Sequence, residues 1–203
     1  MHPEKDSYNL VITGVGGQGN VLCSQLIGQA FVHKEYFTTI GETYGASQRG
    51  GSVMSHIRIS SKKQLSPLIP KGKADVIVAL EPVEALRVLT QYGNPETVVI
   101  VNTRPIYPVD VTSGDEKYPE FAEIEKSLAA LSRQVYYVSA TDQAMDMGSS
   151  ILANMIMIGA LLAVNLLPLS PEEFRQTLSK NFSGKRLETN LQALEQGGKM
   201  VKA

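Results

Sequence analysis

The sequence predicts an α/β protein: a Rossmann-like sheet, mostly parallel, with helices on both faces and a helical C-terminal tail. Three features lead there. Short apolar, β-branched runs at 8–14, 74–80, 97–102 and 135–139 read as strands buried on both faces. Segments with helical spacing separate them, the alternation that builds parallel sheets. A glycine-rich turn at 14–19 joins the first strand to the first helix, within one unit of about 30 residues.

The elements follow in order. Residues 8–14 (YNLVITG) form the first strand, GVGGQG at 14–19 turns the chain, and Val21, Leu22, Leu26, Ala30 and Phe31 space a helix over 20–34. Residues 36–51 are expected to be irregular, punctuated by Gly41, Gly45, Gly50 and Gly51, with a short strand at 37–40. The run SVMSHIRIS at 52–60 alternates apolar and polar residues, which predicts a half-exposed strand at an edge or in an antiparallel pair, with His56 on its surface. A proline-bounded loop at 66–70 precedes the strand at 74–80. Glu81-Pro82 suits the start of a helix over 83–92, because proline fixes φ and a carboxylate complements the helix dipole. The strand at 97–102 leads into a loop over 103–119 with three prolines, then an amphipathic helix at 120–132 and a strand at 135–139 packed through Tyr136 and Tyr137. Beyond Thr141 the pattern is helical. Residues 151–166 are apolar almost all round and should be buried. Ser170 and Glu173 make a capping box. Leu187, Leu191 and Leu194 share one face of a helix at 185–196, which Gly197-Gly198 is expected to stop. Met145, Met147, Met155 and Met157 read as core filler. With no repeat or linker, residues 1–203 are taken as one domain.

Composition excludes several functions. The net charge is -1 with Lys and Arg spread along the chain, so no basic stripe offers itself to nucleic acid. The longest apolar run, 151–167, is interrupted by Asn154 and Asn165 and falls short of the roughly 20 residues a membrane span needs. No basic-then-apolar leader opens the chain, so a cytoplasmic location is expected. One cysteine, Cys23, and three scattered histidines supply neither four thiolates for an iron–sulfur cluster nor a zinc set. Cys23 reads as a small buried apolar residue.

Two loops carry the chemistry. Gly14, Gly16 and Gly19, with Gly17 and Gln18 between, fit a G-x-G-x-x-G turn, in which glycine lets the backbone approach a ligand and the helix N-terminus faces an anion. A dinucleotide site also wants an acid about 20 residues on. Glu42 is the nearest candidate, inside another glycine-rich loop. Nucleotide binding, a structural turn and a subunit contact all remain open for this loop. The second loop, GETYGASQRGGS at 41–52, brings Tyr44, Gly45, Gln48, Arg49, Gly50 and Gly51 together. A guanidinium flanked by paired glycines suits a carboxylate, a phosphate or another chain coming close. Glu81 and Glu84 are read as helix-start carboxylates rather than an acid/base pair.

At these residues the chain resembles a known family. GVGGQGN at 14–20 is similar to the glycine loop of the gamma domain of 2-oxoacid:acceptor oxidoreductases. YGASQRGGSVMSHIRIS at 44–60 resembles that domain's second signature. SPLIPKGKADVIVALEPVEALR at 66–87, with Gln48 to Val53, looks more like the beta subunit of indolepyruvate ferredoxin oxidoreductase than like pyruvate or 2-oxoglutarate gamma subunits. The resemblance is strongest over 8–104 and matches nothing specific at 105–119. It implies a division of labour. A large partner subunit holds thiamine diphosphate and [4Fe-4S] clusters, electrons leave to ferredoxin, and coenzyme A takes the acyl group from a 2-oxoacid such as indolepyruvate. The present chain then holds no cofactor alone and supplies no catalytic residue. Its loops at 14–19 and 44–51 would face the partner and close over the thiamine or coenzyme A site. Left alone, it is expected to expose apolar surface and pair with a second copy. Other readings are a gamma subunit for pyruvate or another 2-oxoacid, an autonomous NAD(P)- or FAD-binding oxidoreductase, and a nucleotide sensor without turnover.

Overall fold

The computed structural model describes residues 6–44, 51–107, 109–114 and 117–201. In chain order these form β1 (Ser7–Val15), α1 (Asn20–His33), β2 (Phe37–Tyr44), β3 (Ser52–Ser60), β4 (Val76–Ala79), α2 (Pro82–Tyr92), β5 (Val98–Asn102), α3 (Val109–Thr112), α4 (Phe121–Leu131), β6 (Gln134–Val138), α5 (Ala140–Asp146), a 3-10 turn (Ser150–Leu152), α6 (Ala153–Val164), α7 (Pro171–Asn181) and α8 (Gly184–Met200). The six strands make one sheet in the order β2-β3-β1-β4-β5-β6. β1, β4, β5 and β6 run parallel, while β3 is antiparallel to both β1 and β2.

Strand alternation divides the interior into two cores. Leu10, Ile12, Val76, Val78 and Ile100 point to one face, where α1, α6, α7 and α8 cover them. Val11, Ile77, Ala79, Val99 and Val101 point to the other, beneath α2 and α4. Because both faces are covered, these strands read as unbroken apolar runs. Each large side chain buried this way contributes about 1.5–3 kcal/mol before entropy is counted. The mostly parallel, two-faced sheet predicted from sequence is therefore what forms.

Several sequence expectations need correction. β2 extends through Tyr44 instead of ending at residue 40. Gly41 stays in the strand because the carbonyl of Pro67 presses on it, and a Cβ there would lie 2.9 Å from that oxygen. β3 keeps the expected antiparallel pairing but is neither an edge strand nor half-exposed. It lies between β1 and β2, and most of its polar side chains find partners inside the fold: Ser55 on Glu42, Ser52 on Glu84, and Arg58 on Asn9 and Ser66. His56 is fully buried rather than a surface residue. Its Nδ1 accepts from the Ile69 amide, its ring meets Tyr92 edge-on, and burial lowers its pKa. Met145 is exposed rather than core filler, whereas Met155 and Met157 are buried.

The last correction concerns α8. Gly197 and Gly198 do not stop it; the helix runs on to Met200. At its crossing with α6 there is no room for side chains. A Cβ on Gly197 would come 1.8 Å from the Ile156 carbonyl oxygen, and one on Gly159 would come 2.0 Å from that of Leu194. The glycines remove atoms so that two backbones touch. The expected tail is a packed layer of the core, with Ala193 and Leu194 buried.

Candidate functional site at the carboxyl edge

In an open α/β sheet the carboxyl ends of the parallel strands gather the loops, and ligands bind in the crevice outside them. Here β1 delivers the glycine loop to that edge. Gly17 and Gly19 take positive φ, +103° and +88°, which lets the chain double back into α1. Gln18 braces the turn by accepting from the Val15 amide at 2.7 Å and donating to the Leu80 carbonyl at 2.8 Å. The Gly16 amide donates to Gly51 at 2.9 Å, which joins the first loop to the end of the second. Gly19 also abuts Asn154 of α6, whose Nδ2 would be 2.3 Å from a Cβ at that position.

α1 starts without a side-chain cap and without an acidic residue in its first turn. Its opening amides therefore have no partner within the helix and can receive an anion. Beside them Asn20 is 3% exposed, and its Oδ1 accepts no hydrogen bond. Two cavities flank the loop and share Gly17. The larger, about 510 Å³, is lined by Gly16, Gly19, Asn20, Val21, Val53 and the exposed Tyr44. The smaller, about 180 Å³, lies over β4 and β5 among Gln18, Asn102, Arg104, Ile106, Ile151 and Asn154.

Of the residues read from sequence, Gly14, Gly16, Gly17, Gln18, Gly19, Tyr44 and Gly51 meet at this edge. Gly45, Gln48, Arg49 and Gly50 lie outside the described residues. Asn20, Asn102 and Asn154 were missed as site residues. The signal available for two of them was a polar residue placed in or ending an apolar run. Asn102 closes β5 and bonds both Leu80 and Thr141.

Glu42 does not serve as a ribose acid. Rather than sitting in a loop it lies on β2, two strands from β1, and its oxygens take the hydroxyls of Ser24 and Ser55, both at 2.8 Å. Glu81 caps α2 by accepting from the Glu84 amide at 2.9 Å, as a helix-start carboxylate should. Its second oxygen takes the hydroxyl of Tyr118. Burial raises the Glu81 pKa, with Tyr118 and the Glu84 amide pulling the other way. Burial and Glu81 together push the Tyr118 phenol up. Glu84 accepts from Ser52 at 2.6 Å and pairs with Arg87 at 3.3 Å.

Bond-making groups are scarce. Burial pushes the Cys23 thiol up to about 12, so it is not a thiolate ligand. Among the described residues no cluster of His, Cys, Asp or Glu is placed to hold a metal ion, and no helix is long and apolar enough to cross a membrane.

Fold and edge together define a Rossmann-like α/β domain with a glycine-loop crevice at the carboxyl edge of its sheet. The chain belongs to the pyruvate ferredoxin/flavodoxin oxidoreductase family, whose profile matches residues 9–200. It is 40% identical over 189 residues to the indolepyruvate oxidoreductase subunit IorB of Archaeoglobus fulgidus, covering 93% of this chain and 92% of that one. It is 37% identical over 196 residues to the subunit of the same name from Thermococcus kodakarensis, covering 96% of each. The fold is that of 2-oxoglutarate:ferredoxin oxidoreductase from Magnetococcus marinus, a structure with 2-oxoglutarate, coenzyme A and succinyl-CoA bound. There the TM-score is 0.74 at 24% identity, over 98% of this chain and 32% of that longer one.

Proposed function

We propose that this chain is the small, non-redox subunit of a thiamine-diphosphate-dependent 2-oxoacid:ferredoxin oxidoreductase acting on indolepyruvate and related arylpyruvates. The observation that carries the reading is 40% identity across 93% of the chain to a subunit named for indolepyruvate. Thiamine diphosphate and [4Fe-4S] clusters would sit in a large partner subunit in the cytoplasm, with ferredoxin as electron acceptor. When bound, those groups supply decarboxylation and electron transfer. This chain's residues would bind and enclose. The amides opening α1 and the loop Gly14–Gly19 suit the phosphates of coenzyme A, and Tyr44 with the segment to Gly51 would close the crevice against the partner.

The rim supports an incomplete surface. Tyr44, Ile106 and Ile151 are 58%, 38% and 71% exposed where they line the two cavities. Apolar residues gathered around a cavity mark a surface that something covers. The engagement of Glu42 by two serines argues against an autonomous dinucleotide enzyme.

The test is co-purification from the native host, followed by assay for 2-oxoacid-dependent viologen reduction. A brown, thiamine-containing partner and turnover of arylpyruvates are expected. Preference for pyruvate would move the substrate assignment. A colourless chain that retains a flavin or nicotinamide nucleotide would overturn the reading. In the active complex, Arg49→Ala should lower turnover or coenzyme A affinity; unchanged values of both would remove the second loop from the site.

A further inference from the structure

The segment that leaves β5 carries no sequence signature, yet it builds one wall of the smaller cavity. Arg104, Pro105 and Ile106 line it opposite Gln18 and Asn154. Thr103 still belongs to the sheet through its amide bond to Val138 at 3.0 Å. Beyond Thr103 the chain is neither strand nor helix up to Tyr107.

Two arms hold this wall, and they differ in strength. Arg104 pairs with Asp142 at 2.8 Å, but both side chains are more than half exposed, 55% and 57%. Such a pair constrains little in water. The second arm is anchored on a buried carboxylate. Tyr107 packs edge-on against Tyr118, with ring centroids 5.1 Å apart. The Tyr118 hydroxyl donates to the carboxylate of Glu81, which is 2% exposed, and the Ile106 amide bears on the same carboxylate. A hydrogen bond to a charged group away from water is strong and directional. Glu81 cannot swing, because its other oxygen caps α2. The wall is thus set from behind, through residues that do not line the cavity.

We propose that Glu81 and Tyr118 are a positioning pair that sets the segment 103–107, whose Arg104, Pro105 and Ile106 form one wall of the smaller cavity, and so controls what that cavity accepts. This rests on the carboxyl edge being the working face, as proposed above.

The experiment uses Tyr118→Phe in the full chain, which removes the hydroxyl and keeps the ring packing. Amide hydrogen exchange across residues 103–107 should quicken by roughly tenfold or more, the loss expected when a buried charge-assisted bond no longer opposes local opening. Trypsin should cut faster after the exposed Lys117. Exchange in β4 and β5 should not change. Glu81→Ala should loosen the wall likewise, and Glu81→Gln should loosen it less, since the amide oxygen can still cap α2 while the amide NH2 donates to the Tyr118 oxygen. Should Tyr118→Phe not fold, the two Glu81 variants carry the same comparison. In the co-purified complex, Tyr118→Phe should raise KM for coenzyme A several-fold more than it lowers kcat. Unchanged exchange overturns the positioning role, and faster exchange with unchanged KM overturns control of the cavity. A complex inactive on every 2-oxoacid would fail the functional reading, while exchange would still decide the wall.

Discussion

The α6–α8 crossing and the carboxyl edge both depend on glycine, for opposite reasons. At the crossing, glycine is needed for what it lacks: Gly159 and Gly197 let two helix backbones meet, and any Cβ would strike a carbonyl. At the edge, Gly17 and Gly19 are needed for where they can go, since positive φ turns the loop. Gly17 has nothing within 4 Å of its missing side chain. One region is filled to contact; the other keeps room around a fixed backbone path. The same substitution should therefore cost different amounts in the two places, and for different causes.

The largest effect is expected at the crossing. Gly197→Ala should destabilise by roughly 3 kcal/mol or more, because backbone on both sides leaves no rotamer to yield. A denaturant midpoint shift worth less than about 1 kcal/mol would show that α8 can slide. Gly19→Ala should come next, at about 2 kcal/mol, combining a strained φ with the Asn154 clash. Only the clash half can be relieved, so adding Asn154→Ala should recover part of the loss in a double-mutant cycle. Gly17→Ala should cost about 1 kcal/mol, from φ alone.

Two carboxylates extend the contrast to pH. Glu81, at the edge, has a pKa raised by burial from 4.5. Its protonated form is favoured in the fold, so its contribution is full below about pH 4.5 and is lost as pH rises through the raised value. Glu81→Gln should flatten that fall in stability toward neutral pH. Glu173, at the helical end, behaves oppositely. Slight burial pulls it up, but Lys34 and the Ser170 cap outweigh this and hold it at about 2. Its contribution is full above the unfolded value and is lost as pH falls from 4.5 toward 2. Thermal melts of Glu173→Gln should show a shallower acid slope. Because this side chain is 38% exposed, the effect should be the smallest of the set.

How much of this the sequence disclosed follows from where each signal lies. β1, β4 and β5 were legible because burial on both faces writes an apolar run into a few consecutive residues. The Ser170–Glu173 cap was legible for the same local reason, and both of its bonds form. β2 was only half legible, because Gly41 and Glu42 look like loop chemistry until Pro67 and two serines are seen to need them. The burial of β3 was hidden because most of its polar residues find partners elsewhere in the chain. The glycine loop itself announced the edge, but Asn102 and Asn154 reach it from more than 80 residues away, and a polar residue in or ending an apolar run does not say which loop it will meet. Gly197-Gly198 looked like a terminator because only the position of α6 tells a stop from a contact.

The placement of β1 has a consequence for synthesis. It is made before the other strands of this sheet, yet it takes an inner place, between β3 and β4. Its partners appear only with residues 52–60 and 76–79, and the helix that fixes Gly19 begins at residue 153. The apolar strand Leu10–Ile12 must therefore wait for its neighbours, and its covering layer is complete only with α6, α7 and α8, an interval in which exposed apolar surface is prone to aggregate. The glycine loop is thus made well before it is completed, set only when α6 arrives and is locked down by α8.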